Sequence, residues 1–68
     1  MNTQTMTERE LIIMRDALKE YAIGMRTDPD TRKVTSEADY LKRDLSPNAR
    51  YTYLTALAMA AEAAARIR

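Results

Sequence analysis

The chain has no cysteine and no histidine, and it contains a single glycine. Without cysteine it forms no disulfide and offers no thiolate to a metal ion, and without histidine the usual zinc ligands are missing. The same absences remove the commonest general base and the strongest side-chain nucleophile. Gly24 alone cannot build a glycine-rich phosphate loop. We therefore expect a non-catalytic protein that uses no metal and no cofactor.

The length of 68 residues predicts one small domain. Folding at this size buries only about 60% of the surface that the unfolded chain exposes, and ordering the chain nearly cancels the gain from so small a core. Because disulfides are excluded, we expect self-association or a protein partner to add stability. The sequence predicts a flexible N-terminus over residues 1–6 and a single helical domain over residues 7–68.

Charge and hydropathy argue against nucleic-acid binding, secretion and membrane insertion. The net charge is only +1, from 11 basic and 10 acidic residues, which is far from the strongly basic pattern of nucleic-acid binders. The opening MNTQTMTERE has neither the basic nor the apolar region of a secretory signal. The alanine-rich segment is interrupted by Glu62 and is shorter than the ~20 apolar residues that span a bilayer. We expect a cytoplasmic protein with no membrane partner.

Three helices are predicted, long, short and long, in an all-α domain. Thr7 and Glu10 fit a capping box at the start of a helix over residues 8–25. Ser36 predicts the start of a second helix over residues 37–45, and Ser46-Pro47 predicts a third over residues 47–67. A broad apolar arc of the first helix is expected to face the core, and its central row is Leu11, Met14, Leu18, Tyr21 and Met25.

A partner-binding stripe is predicted on the charged side of the first helix. Ile12 and Ile23 are eleven residues apart and stand nearly in line there. Basic side chains border them, as in interfaces with an apolar centre and a charged rim. Alternatively, the two isoleucines are simply exposed, or pack beneath the connector or a second subunit. With Tyr40 as a further hot-spot candidate, the predicted partner-binding residues are Ile12, Arg15, Lys19, Ile23, Arg26 and Tyr40.

The last helix carries two parallel apolar rows. Eight alanines lie between Ala49 and Ala65, which reflects either the high helix propensity of alanine or close approach by another helix. One row contains Leu54, Leu57, Ala58, Ala61 and Ala65, and can cover the first two helices of its own chain. The other is predicted to pair two copies in a twofold homodimer through Tyr53, Ala56, Ala60, Ala63 and Ile67.

Polar residues around the start of the last helix suggest an anion or nucleic-acid contact. A helix N-terminus attracts phosphate or carboxylate groups, although Ser46 can also serve only as the helix cap. The candidate residues are Lys42, Arg43, Ser46, Asn48 and Arg50. Residues 37–67 also resemble a helix-turn-helix in outline, but the turn is too short and the last helix offers few side chains that could read bases.

The leading functional hypothesis is a helical module that binds a larger host protein complex and inhibits or remodels it by occupying its surface. Phage and mobile-element inhibitors, anti-CRISPR proteins among them, are comparable in size and style, but no motif connects the chain to such a family. A small DNA-binding regulator is the first alternative. An oligomer that sequesters a small ligand or nucleotide is the second.

Overall fold

The structure is a computed structural model that describes residues 5–67. It contains α1 (Glu8–Met25), α2 (Glu37–Leu41) and α3 (Pro47–Arg66), which confirms the all-α class and the long–short–long order. Residues 1–4 of the predicted flexible N-terminus and Arg68 of the predicted domain lie outside the described residues. Among the described residues, no helix has the length and apolar character required to cross a bilayer.

Each helix begins at the cap that the sequence predicts. At α1, the Thr7 hydroxyl accepts from the Glu10 amide at 3.1 Å, and the Glu10 carboxylate accepts from the Thr7 amide at 3.0 Å. At α2 the Ser36 hydroxyl accepts from the Asp39 amide, and at α3 the Ser46 hydroxyl accepts from the Ala49 amide, with Pro47 in the first turn. These contacts span three residues, so they form from local sequence and do not require tertiary packing.

The prediction that the second helix reaches residue 45 is wrong, because α2 ends at Leu41. Beyond it the backbone turns, with the Arg43 amide donating to the Tyr40 carbonyl. The Arg50 guanidinium of α3 donates to the Leu41 carbonyl at 2.8 Å, so a side chain satisfies an acceptor that a longer helix would have used. Pro47 also favours an extended backbone at Ser46, so α2 cannot continue through residue 46.

The connector between α1 and α2 folds back on itself. Thr27 and Val34 form an isolated antiparallel bridge. Inside this loop the Asp28 carboxylate accepts from the amides of Asp30 and Thr31, and Arg32 adopts a left-handed backbone with φ of 62°. The hydrogen bonds close the loop tightly and bring α2 beside the end of α1.

The core lies between α1 and α3, which form the main helix–helix contact, and α2 covers one end of it. The ring of Tyr53 is fully buried beside Ala22, with its centroid 4.9 Å from that of Tyr40 and the planes tilted by 53°. This tilted arrangement is one that aromatic pairs favour. Other fully or nearly fully buried residues are Leu11, Ala56, Ala60 and Ala63.

This core corrects the predicted self-association row. Tyr53, Ala56, Ala60 and Ala63 are buried within the chain, so they cannot form a seam with a second copy. Ile67 is half-buried at the end of α3. The physical reason is the Tyr53 ring, the largest fully buried side chain, which turns its own row towards α1 and α2. The other row, with Leu54, Ala58, Ala61 and Ala65, remains exposed.

Candidate protein-interaction site

One side of the α1–α3 layer presents a surface that we name the alanine face. It is a shallow groove of about 230 Å³. Arg15 and Lys19 of α1 line one wall, and Leu57, Ala60, Ala61 and Ala64 of α3 line the floor and the other wall. Ile12 and Ile23 project from the same side of α1 as Lys19, and their exposed fractions are 37% and 42%. Leu54 of α3 is also exposed.

The alanine face contains only part of the predicted partner-binding set. Arg15 and Lys19 line the groove beside Ile12 and Ile23, and the Arg15 guanidinium pairs with Asp16 at 2.9 Å. Arg26 is half-buried and donates to the Thr35 carbonyl at 2.6 Å, so it holds the connector.

Tyr40 is buried in the core, which corrects its prediction as a surface hot spot. Its ring is on the inner side of α2 because it packs against Tyr53.

The predicted anion-binding residues are largely used by the fold itself. The Ser46 hydroxyl accepts from the Ala49 amide at 3.1 Å. Arg50 donates to the Leu41 carbonyl, and Arg43 donates to the Thr35 hydroxyl at 3.0 Å. Lys42 and Asn48 are exposed on the surface. The two arginines are therefore held by neutral oxygens of their own chain, with α2 and the connector as their partners.

The other side of the layer carries a larger and more apolar groove, which we name the methionine groove. Its volume is about 440 Å³. The apolar residues that line it are Met6, Ile13, Met14, Ala17, Leu18 and Met59. A second groove of about 340 Å³ shares Leu18 and Met59 with it and continues to Tyr21 and Tyr51. Met6 and Met59 line the methionine groove, whereas Tyr21 and Tyr51 line its continuation, so α1 and α3 run antiparallel.

Sequence reasoning missed this groove because it assigned the whole apolar arc of the first helix to the core. The exposed fraction is 59% for Ile13 and 56% for Tyr21, so the expected position of Tyr21 in the core is wrong. The width of the apolar arc on the first helix could have predicted the groove. An arc of about 180° is wider than the stripe that a helix needs to face a core, so part of it is left uncovered.

Two side chains of these regions, Glu10 and Tyr53, have pKa values that differ from their ordinary values. The Thr7 amide lowers the pKa of the Glu10 carboxyl at the mouth of the methionine groove, so Glu10 carries a negative charge at neutral pH. Burial raises the pKa of the Tyr53 hydroxyl, and the positive charge of Arg26 partly offsets that rise. Neither the Tyr53 hydroxyl nor the Arg26 Nε has a hydrogen-bond partner of good geometry.

The described residues contain no cluster of three or more acidic side chains that could hold a metal ion. In comparisons with known proteins, no protein-family model matches the chain, and no significant match is found among curated proteins or solved structures. The alanine face and the methionine groove are therefore the features of the molecule that indicate a function.

Proposed function

We propose that the protein is a small non-catalytic interaction module that binds a larger protein complex and inhibits or remodels it by covering part of its surface. The observation that carries the proposal is the alanine face, an apolar groove with a wall of Arg15 and Lys19 beside the partly exposed Ile12 and Ile23. An apolar centre with a charged rim is the usual anatomy of a protein interface.

The chemistry of the alanine face indicates the kind of surface it would meet. Small alanines at Ala61 and Ala64 allow another backbone or a bulky side chain to come close. The two basic side chains favour an acidic border on the partner, and such charges mainly increase the association rate and set orientation. The isoleucines supply the apolar area that leaves water on binding.

The same proposal includes a homodimer, now assigned to the exposed row of α3. Leu54, Ala58, Ala61 and Ala65 repeat at intervals of four, three and four residues, which is the spacing of a helix–helix seam. A twofold pair would bring this row against its copy. The small core of a 68-residue chain supports the need for such an additional contact.

The function is tested by affinity capture of the tagged protein from host lysate, with and without nuclease, followed by mass spectrometry. We expect one stoichiometric protein that survives nuclease treatment and moderate salt. Ile12→Asp and Ile23→Asp should abolish its capture, because each places a charge on the apolar surface beside the groove. Ile13→Asp is the matched control, since this neighbour of Ile12 lies on the methionine groove. Circular dichroism establishes that every variant is folded.

The alternatives give different results in the same experiment. A DNA-binding regulator would yield nucleic acid, lose its proteins after nuclease treatment, and bind more weakly with rising salt as counterions are released. A nucleotide-sequestering oligomer would give an empty eluate and a thermal shift with nucleotides alone. If Ile12→Asp and Ile23→Asp capture the target as well as the wild type does, the alanine face is not the binding surface.

A further inference from the structure

The methionine groove is long enough to hold several turns of a helix. Together with its continuation it extends along α1 from Glu10 to Tyr21, which is eleven residues or about 16 Å at the rise of an α-helix. The groove lies between two antiparallel helices, and such a depression accepts the side-chain ridges of a third helix. Three turns correspond to anchor residues at i, i+4, i+7 and i+11 of a docked helix.

The lining of the groove suits a ligand with an apolar face. Met14 and Met59 are in its walls, and methionine side chains are flexible enough to adapt to differently shaped apolar partners. Ile13 is exposed although it is large and apolar, so covering it removes apolar area from water. The described residues form no named strand, which leaves a helix rather than an added strand as the natural ligand geometry.

The charge at the groove specifies the ligand further. Among the described residues that line the methionine groove and its continuation, Glu10 is the only one with a charged side chain. One of its carboxylate oxygens, Oε1, accepts from the Thr7 amide, while the carboxylate remains on the exposed surface of α1. A lone carboxylate beside an apolar groove favours a cation at that end of the ligand and disfavours an anion.

We propose that the methionine groove binds one amphipathic α-helix of a partner protein, with its apolar face between Ile13 and Met59 and a lysine or arginine side chain against Glu10. This surface is on the opposite side of the α1–α3 layer from the alanine face. A failure of one surface therefore leaves the test of the other unaffected, and a chain that uses both would hold two protein elements together.

The test uses the full chain, labelled with ¹³C at the methionine methyl groups, and a synthetic probe. The probe is an alanine-based peptide of about 18 residues, with leucines at i, i+4, i+7 and i+11 and lysines beside them. We expect the methyl resonances of Met14 and Met59 to shift on titration. Met25 is the internal control, because it packs against the core cluster of Ala22, Tyr40 and Tyr53 and should not shift.

Three variants test the contacts. Ile13→Asp should weaken the peptide at least about tenfold because it places a charge in the apolar groove, whereas the matched Ile12→Asp should leave its affinity unchanged. The wild type should prefer the lysine peptide to a glutamate counterpart by about fivefold, the size of a surface charge effect. Glu10→Gln should remove that preference while keeping the helix cap, because glutamine also completes a capping box.

Several results would overturn the proposal. One is a shift of Met25 equal to those of Met14 and Met59, and another is equal weakening by Ile12→Asp and Ile13→Asp. Equal binding of the lysine and glutamate peptides would show that Glu10 does not select a lysine or arginine on the partner helix. If Ile13→Asp halves the mass of the wild-type protein in solution, the groove is covered by a second copy and not by a partner helix.

Discussion

The Tyr53 hydroxyl illustrates how much a single buried atom can matter in so small a core. The Tyr53 side chain is fully buried, its hydroxyl lacks a well-formed hydrogen bond, and burial raises its pKa. A buried polar atom without a partner costs about 1–3 kcal/mol. The ring of Tyr53 therefore stabilises the fold, whereas its hydroxyl does not.

Tyr53→Phe is accordingly expected to leave the free energy of unfolding unchanged or to raise it by up to about 1 kcal/mol. Urea denaturation measures the change, with Tyr51→Phe as the control because Tyr51 is 71% exposed. Tyr53→Ala should instead cost about 3–5 kcal/mol through loss of the ring. A loss of more than 1 kcal/mol in Tyr53→Phe would mean that the hydroxyl is paired with the Arg26 guanidinium.

The two rows of α3 show what distinguishes one side of a helix from another. Ala60 and Ala61 are adjacent and chemically identical, yet Ala60 is buried between the helices whereas Ala61 is exposed. A larger side chain therefore has opposite consequences at the two positions. In a well-packed interior it forces neighbours apart, but on the surface it has room.

Ala60→Leu should lower the free energy of unfolding by about 1–3 kcal/mol through overpacking, independently of protein concentration. Ala61→Leu should change it by no more than about 0.5 kcal/mol in the monomer. Thermal and urea denaturation of dilute samples measure both variants. Equal stability of the two variants would contradict the burial of Ala60. The row that contains Tyr53 and Ala60 would then be a candidate dimer seam.

As a whole, the molecule is a thin layer of two helices with apolar side chains on both sides. Its extents are 37 × 24 × 17 Å, and the short α2 covers only one end of the core. The alanine face and the methionine groove are the two consequences of that shape. The homodimer row of α3 shares Ala61 with the alanine face, whereas the methionine groove shares no residue with that row, so self-association and helix binding in the methionine groove do not exclude each other geometrically.

The homodimer proposal predicts a species of twice the 7.8-kDa chain mass in sedimentation equilibrium. Ala58→Glu should return it to the monomer, because the charge falls in the exposed row of α3. Ala17→Glu is the matched control, since Ala17 is an exposed alanine on the methionine groove. A wild-type protein that remains monomeric at high concentration would refute the dimer.

The number, order and starting points of the helices follow from local sequence signals alone. Thr7, Ser36 and Ser46 cap them through contacts three residues away, and such short-range hydrogen bonds do not depend on the rest of the fold. The end of α2 was harder to predict, because it depends on Arg50, which reaches back from α3 to the Leu41 carbonyl.

Which apolar row of α3 faces inward depends on how the three helices pack together. Both rows of α3 have the same periodicity and nearly the same composition, so hydrophobic patterning cannot separate them. The inner row is the one that contains Tyr53, because its ring finds space beside Ala22 and Tyr40. The same choice exposes Ile13 and Tyr21, since one thin α3 cannot cover the whole apolar arc of α1, and the methionine groove results from that uncovered part.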